Sequence, residues 1–259
     1  MSGGPSVPHL FRHWQDVVAR IRLQRRAIIF LDFDGTLVHI ASRPNRVRMQ
    51  PAMRRILRRL ANNPKLTMVV ISGRRRDELQ RCVGIPKLHY LGLYGWDRRG
   101  KTPLPASARV ALFRVHVLLL KELTACPGVW IEPKQNSFSV HLLGARPAVQ
   151  RRARQLVRTF LHSFRATLQL LENLRDIEVM PLSIPDKGAA VREFLTKPAS
   201  RGKLALFFGD DLSDEPAFQT VHPGVSVLVG KTRKTRAQFR LRGPEEVAVA
   251  LTRVEEALE

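Results

Sequence analysis

The sequence has only two cysteines, Cys82 and Cys126, far apart and with no paired spacing. That argues against a disulfide scaffold or a thiolate metal site and predicts two unpaired thiols in a reducing compartment. No apolar run reaches the ~18–20 residues that a membrane span needs. The opening segment, Met1 to Leu10, lacks the charged-then-apolar pattern of a secretion signal. A cytoplasmic protein with no membrane association is expected. Internal repeats, long low-complexity linkers and zinc-finger spacings are missing as well.

Acidic residues are scarce: 22 Asp and Glu against 44 Lys and Arg, a net charge of +22. A surplus of this sign brings a polyanion partner into consideration, because cations set against phosphates release counterions. Much of the arginine, however, lies at helical spacing opposite apolar residues. In Arg54-Arg55-Ile56-Leu57-Arg58-Arg59-Leu60 it fills the solvated side of an amphipathic helix. The runs Arg74-Arg75-Arg76 and Arg151-Arg152-Ala153-Arg154 read the same way. With no aromatic residues interleaved among them, a nucleic-acid function is not expected. The same field would steer a small phosphorylated substrate.

What is present is ample apolar sequence, 44% of a 259-residue chain, enough for a substantial core. Ala27 to Leu31, Leu66 to Ile71, Leu204 to Phe208 and Val225 to Val229 are short apolar runs, the signature of strands covered on both faces in a parallel sheet. Helices are expected around Phe11–Val18, at Pro51–Leu60, after Arg74, at Gly188–Leu195 and at Glu245–Ala257. This strand–helix alternation defines an α/β class. The middle of the chain differs. A long helix at Leu104–Thr124, a strand pair at Val129–Glu132 and Ser137–Leu142, a helix near Pro147–Ala166 and strands at Leu168–Glu172 and Asp176–Met180 predict a smaller α+β insertion. The expected organisation is residues 1–100 and 183–259 as one discontinuous core, with 101–182 inserted.

The chemistry-bearing residues follow the buried strands. Asp32 and Asp34 stand directly after the first, where open α/β sheets bind ligands. Two carboxylates so close repel each other unless a hard, oxygen-seeking cation neutralises them, and magnesium (Mg2+) is the natural choice. Gly35 allows a sharp turn and Thr36 adds a hydroxyl. Ser72-Gly73 follows another strand with a hydroxyl and an open backbone suited to a phosphoryl oxygen. Gly209-Asp210-Asp211-Leu212-Ser213-Asp214 supplies further carboxylates after a third. Asp186-Lys187-Gly188 sets a cation at a helix start, where anions already bind favourably. Each has an ordinary reading as a turn, a cap or a solvated lysine.

In this order the motifs resemble the haloacid dehalogenase superfamily of phosphohydrolases, and within it the trehalose-6-phosphate phosphatases. Leu31-Asp32-Phe33-Asp34-Gly35-Thr36-Leu37 is similar to their opening motif, Ile71-Ser72-Gly73-Arg74 to the second, and Gly209-Asp210-Asp211-Leu212-Ser213-Asp214-Glu215-Pro216-Ala217-Phe218 to the last. In the insertion, Glu132-Pro133-Lys134-Gln135-Asn136-Ser137 is similar to the family's sugar-facing segment. The resemblance implies a Rossmann-like parallel-sheet core with an inserted α+β cap. It also implies a magnesium-dependent hydrolysis in which Asp32 is the nucleophile and Asp34 the acid and base.

By the same resemblance, Asp32, the Asp34 carbonyl and Asp210 hold the metal, Ser72 and Lys187 hold phosphoryl oxygens, and Asp211 and Asp214 orient these groups. Gly73, Arg74, Glu132, Lys134 and Ser137 contact substrate. His141, at the end of the strand after Ser137, reads from its own position as structural. A trehalose-phosphate synthase is an expected kind of partner. The chain departs from the family at Tyr94 and Asp97, which replace a His and a Glu, and at Leu142-Leu143, which replace an aromatic and an Arg. A sibling phosphatase for sucrose phosphate or a glycosylglycerate phosphate is therefore the alternative. A non-catalytic regulatory module and a basic nucleic-acid-associated protein are the readings from other classes.

Overall fold

A computed structural model describes residues 7–41, 47–97, 104–134 and 136–259. The first six residues of the polar lead-in, the expected junction at 100–101 and Gln135 lie outside the described residues. In chain order come α1 (Trp14–Gln24), β1 (Ala27–Leu31), α2 (Pro51–Leu60), β2 (Leu66–Ile71), α3 (Arg76–Val83) and β3 (His89–Leu91). There follow α4 (Ala106–Leu123), β4 (Trp130–Pro133), β5 (Phe138–His141), α5 (Pro147–His162), β6 (Leu168–Glu172) and β7 (Asp176–Pro181). The last elements are α6 (Lys187–Leu195), β8 (Leu204–Gly209), α7 (Glu215–Thr220), β9 (Val225–Val229), β10 (Phe239–Leu241) and α8 (Pro244–Leu258). The short elements β3, α7 and β10 were not expected from the sequence.

The chain forms two compact units, one from the segments before Arg99 and from Pro185 onward, the other from Arg99 to Ile184. In the first, six parallel strands run in the order β10-β9-β8-β1-β2-β3. Strand β1 is central, paired with β2 on one side and β8 on the other. The chain leaves β1 toward β2 and β3, and later builds β9 and β10 outward from β8. The order therefore reverses between β1 and β8, the place where doubly wound sheets bind ligands.

Alternation along β1 explains its unbroken burial. Ala27, Ile29 and Leu31 pack with residues of α1, α2 and α8, such as Ile21, Leu57 and Leu251. Ile28 and Phe30 pack on the other side with Val191 and Phe194 of α6 and Phe218 of α7. A strand covered by helices on both faces has no solvated side, so it reads as a continuous apolar run. Each of the larger ones, Ile28, Ile29, Phe30 and Leu31, contributes about 1.5–3 kcal/mol when taken from water. Helix α2 shows where part of the charge goes: Met53, Leu57 and Leu60 are buried while Arg55, Arg58 and Arg59 are exposed. Arg151 and Arg152 are exposed too, but Arg74 is not, being 8% exposed.

The second unit is an antiparallel sheet in the order β4-β5-β7-β6. One face packs on α4 and α5 through Phe138, Val140, Ile177 and Val179. Period-two alternation puts Ser139 and His141 of β5, and Asp176 and Glu178 of β7, on the opposite face. Among the described residues no helix is long and apolar enough to cross a membrane.

Candidate active site

The carboxyl ends of β1, β2 and β8 bring together the residues that the motifs single out in the core. The backbone N–H of Asp32 continues the sheet by donating to Phe208 of β8, at 2.9 Å, and that of Ser72 donates to Leu91 at 3.0 Å. Asp32, Ser72, Lys187, Asp210 and Asp214 are all buried. Lys187 is the first residue of α6, whose N-cap Asp186 accepts from the Ala189 N–H at 2.7 Å. The ammonium of Lys187 donates to Asp32 Oδ1 and to Asp214 Oδ1, both at 2.6 Å.

The loop after β8 owes its shape to a capping box. Asp211 accepts from the Leu212 N–H at 2.6 Å, and Asp214 Oδ2 accepts from the Asp211 N–H at 2.9 Å. Asp214 thereby has both oxygens engaged, one on the backbone and one on Lys187. Arg233 stiffens the same loop by donating to the Asp211 carbonyl at 2.8 Å and pairing with Glu215.

Burial pushes the Asp32 carboxyl up to about 7, with the Lys187 ammonium pulling it down and the Asp214 charge adding to the rise. Burial alone would lower Lys187, but Asp214 and Asp32 outweigh it and hold the ammonium above the ordinary lysine range. The charged lysine thus only partly offsets the buried carboxylates.

Carboxylate oxygens of Asp32, Asp210 and Asp214 lie within 4.8 Å of one another. Asp32 Oδ2 and Thr36 Oγ1 are buried without a hydrogen-bond partner among the described residues. Orphaned polar atoms of this kind call for a polar occupant. Gly35, at φ +95°, lies so near Asp210 that a Cβ there would meet its Oδ2 at 2.1 Å. A residue with a side chain would therefore push the Asp210 carboxylate aside. All-oxygen donors on a buried, partly uncompensated site fit a hard divalent cation. With Asp214 engaged elsewhere, Asp32 and Asp210 are the carboxylates that would hold it.

Asp34 stands beside this cluster on a different partner. Arg74 grips it in bidentate fashion, Nε to Oδ2 at 2.6 Å and Nη2 to Oδ1 at 2.8 Å. The same guanidinium pairs with Glu78 and lies 5.5 Å from the centre of the Phe33 ring. Burial would lower Arg74, yet Asp34 and Glu78 hold it well above the usual arginine range. Ser72 Oγ accepts the Arg74 N–H at 3.2 Å. Gly73 is needed for space, since a Cβ would come within 2.6 Å of the Tyr94 hydroxyl. Asp97, the other departure nearby, accepts from the Arg76 N–H at 2.9 Å.

The remaining expected residues lie in the second unit. There Glu178, fully buried, accepts from Lys134 at 2.6 Å, from Ser137 at 2.5 Å and from Ser139. Burial alone would lower Lys134, but Glu178, Asp176 and Glu132 together outweigh it and keep the ammonium above the ordinary lysine range. Glu132 and His141 share a hydrogen bond of 2.8 Å, and the His141 ring stacks on Trp130 with centroids 3.9 Å apart.

Glu78, Glu178 and Arg233 escaped the sequence reading. Glu78 could have been found from its i, i+4 spacing to Arg74. Glu178 could have been found from its strand, where period two sets it opposite Ile177 and Val179. Nothing local announces Arg233.

A parallel sheet with carboxylates after its central strand and an antiparallel insertion is the fold of haloacid dehalogenase phosphohydrolases. The trehalose-phosphatase family model matches residues 30–245, and the chain belongs to that family. It is 29% identical to a rice protein named probable trehalose-phosphate phosphatase 4, over 96% of this chain and 71% of the relative. The solved C-terminal domain of trehalose-6-phosphate phosphatase from C. albicans is similar, with a TM-score of 0.82 at 22% identity over 98% of this chain and 99% of that one. The C-terminal domain of a trehalose synthase regulatory protein from Candida albicans also shares the fold, with a TM-score of 0.67 at 14% identity over 96% and 99%.

Proposed function

We propose that this chain is a phosphatase that hydrolyses trehalose 6-phosphate to trehalose and phosphate through an aspartyl-phosphate on Asp32. One observation carries the reading, within the family. The Asp32 carboxylate is buried at the end of the central strand, with a lysine 2.6 Å from one oxygen and the other oxygen unpartnered among the described residues.

In the first step an Asp32 oxygen attacks phosphorus, and the bond from phosphorus to the sugar oxygen breaks. Asp34 gives a proton to the departing sugar. In the second step water attacks the same phosphorus, Asp34 takes its proton, and the bond to Asp32 breaks to release phosphate. Splitting one hard displacement into two lowers each barrier. A placed acid and base of this kind contributes ~10²–10⁴-fold. Lys187 and Ser72 hold phosphoryl oxygens, and Asp214 keeps Lys187 in place. A magnesium ion on Asp32, Asp210 and the Asp34 carbonyl would neutralise phosphoryl charge.

For the sugar, we propose that Glu132, Lys134 and Ser137 supply hydroxyl contacts, with Glu178 fixing the last two. Glu178 and His141 hold these groups in fixed positions, so a sugar whose hydroxyls do not match them would lose those contacts. Gly73 acts at the phosphate, and Arg74 acts there through Asp34, which it grips. A cytoplasmic setting suits the free thiols Cys82 and Cys126. A trehalose-phosphate synthase, the enzyme class that makes this substrate, is the proposed kind of partner.

The nucleophile is tested by Asp32→Asn. Magnesium-dependent phosphate release should vanish while the circular dichroism spectrum is kept; near-normal turnover would sink the assignment.

A further inference from the structure

We propose that the outward face of α4 is a docking surface for an acidic amphipathic helix of a partner protein. Helix α4 is apolar on two opposite sides. Ala108, Ala111, Val115, Leu119 and Leu123 are buried within the second unit. On the other side Val110 is 51% exposed, Phe113 68%, Val117 47% and Leu120 48%. Four large apolar side chains in solvent on one helix form a contiguous patch of the kind that marks an interaction site.

The spacing says what shape of partner fits. Val110, Phe113, Val117 and Leu120 follow one another at three, four and three residues, the a and d positions of a heptad. At about 100° per residue they fall in a band roughly 80° wide. A band so narrow is the seam of a helix pair, whereas burial into a core or a lipid surface calls for a stripe of about 100° or more. Leu118, 41% exposed, lies beyond the seam, separated from it by Arg114 and Lys121.

The charge says which helix. The positions flanking a seam choose partners through their charges. Here the charged ones are Arg109 on one shoulder and Arg114 and Lys121 on the other, with no acid among them. The side chains of Arg109, Arg114 and Lys121 are exposed and form no ion pair among the described residues. A second copy of this chain would set cation against cation, on top of a net charge of +22. A helix with leucine-like residues at a and d and glutamates beside them meets the seam and all the flanking charges at once.

The probe is a synthetic three-heptad peptide with Leu at a and d and Glu at e and g, labelled for fluorescence anisotropy against the full chain. Saturable binding is expected, weakened at least tenfold by Phe113→Asp together with Val117→Asp. These positions are exposed, so circular dichroism and phosphatase activity should stay unchanged in that variant. Binding should also fall when ionic strength rises from about 0.1 to about 1 M, which shortens the screening length from ~10 to ~3 Å. A peptide with Lys in place of Glu should not bind.

Four results would each overturn the proposal. The first is no binding of the Glu peptide, and the second is equal binding of a scrambled peptide of the same composition. The third is tighter binding to vesicles containing phosphatidylserine, abolished by the double substitution. The fourth is a concentration-dependent dimer lost in the double variant, which would make the occupant a second copy.

Discussion

Arg74 and Asp34, forty positions apart in the chain, are joined by two parallel hydrogen bonds of 2.6 and 2.8 Å. The proposed acid and base is therefore not a free side chain at a strand end but one arm of a clamp. Glu78 anchors the clamp from the other side. Sequence motifs put Arg74 at the substrate; in the structure its guanidinium faces the side chain that would move the proton.

Replacing Arg74 with Ala should lower kcat by about 10²-fold, the usual cost of a misplaced catalytic group. Arg74→Lys should recover little, because an ammonium cannot reproduce the planar two-point grip. Steady-state kinetics decide between the roles: a loss confined to KM would place Arg74 on substrate alone.

Lys187→Met should destabilise the fold by about 3–5 kcal/mol at pH 8, the typical cost of removing one partner of a buried charge pair. Asp32 and Asp214 would then be buried without their cation. The loss should shrink as pH falls, and the sign follows from burial. Asp32, already pushed up to about 7 with Lys187 present, takes a proton more readily in the folded chain than in the unfolded one. Folding of the variant is therefore favoured as pH drops below that range and disfavoured as it rises. Urea titrations at pH 5 and pH 8 measure the difference. A penalty that grows toward acid would contradict it.

Glu178→Gln should destabilise the second unit, because Lys134 loses its main counter-charge while remaining largely out of solvent. Hydrogen exchange should show β5 and β7 opening more often while β1 and β8 keep their protection. Under the proposed sugar contacts, KM for trehalose 6-phosphate should rise as well. Unchanged protection in β5 would show that Lys134 finds another partner.

The parts of the fold legible in the sequence were those whose signal is local. Runs such as Ala27 to Leu31 and Leu204 to Phe208 fit strands covered on both faces, and the Asp and Gly residues after them mark the ends where ligands bind. Strands β3 and β10 escaped because three residues make no periodic pattern, and each is held by a neighbour rather than by its own composition. Helix α7 is six residues long, with Pro216 in its first turn, too short for a helical stripe to show.

The site divides the same way. Asp32, Ser72, Lys187 and Asp210 stand at element ends that the sequence marks. The grip of Arg74 on Asp34 joins two strand ends, and no local pattern reports a pairing across that distance. Glu178 alternates with Ile177 and Val179, which marks its face as polar, but that it is a buried counter-charge shows only once the facing Ser139, Ser137 and Lys134 are known.

The most direct test is phosphate release by the purified chain with magnesium, and with chelator. The panel is trehalose 6-phosphate, sucrose phosphate, a glucosylglycerate phosphate and glucose 6-phosphate. Magnesium-dependent release with kcat/KM at least tenfold higher for trehalose 6-phosphate than for any other is the expected result. A trehalose 6-phosphate rate no better than that for glucose 6-phosphate, or release unaffected by chelator, would contradict the proposed function.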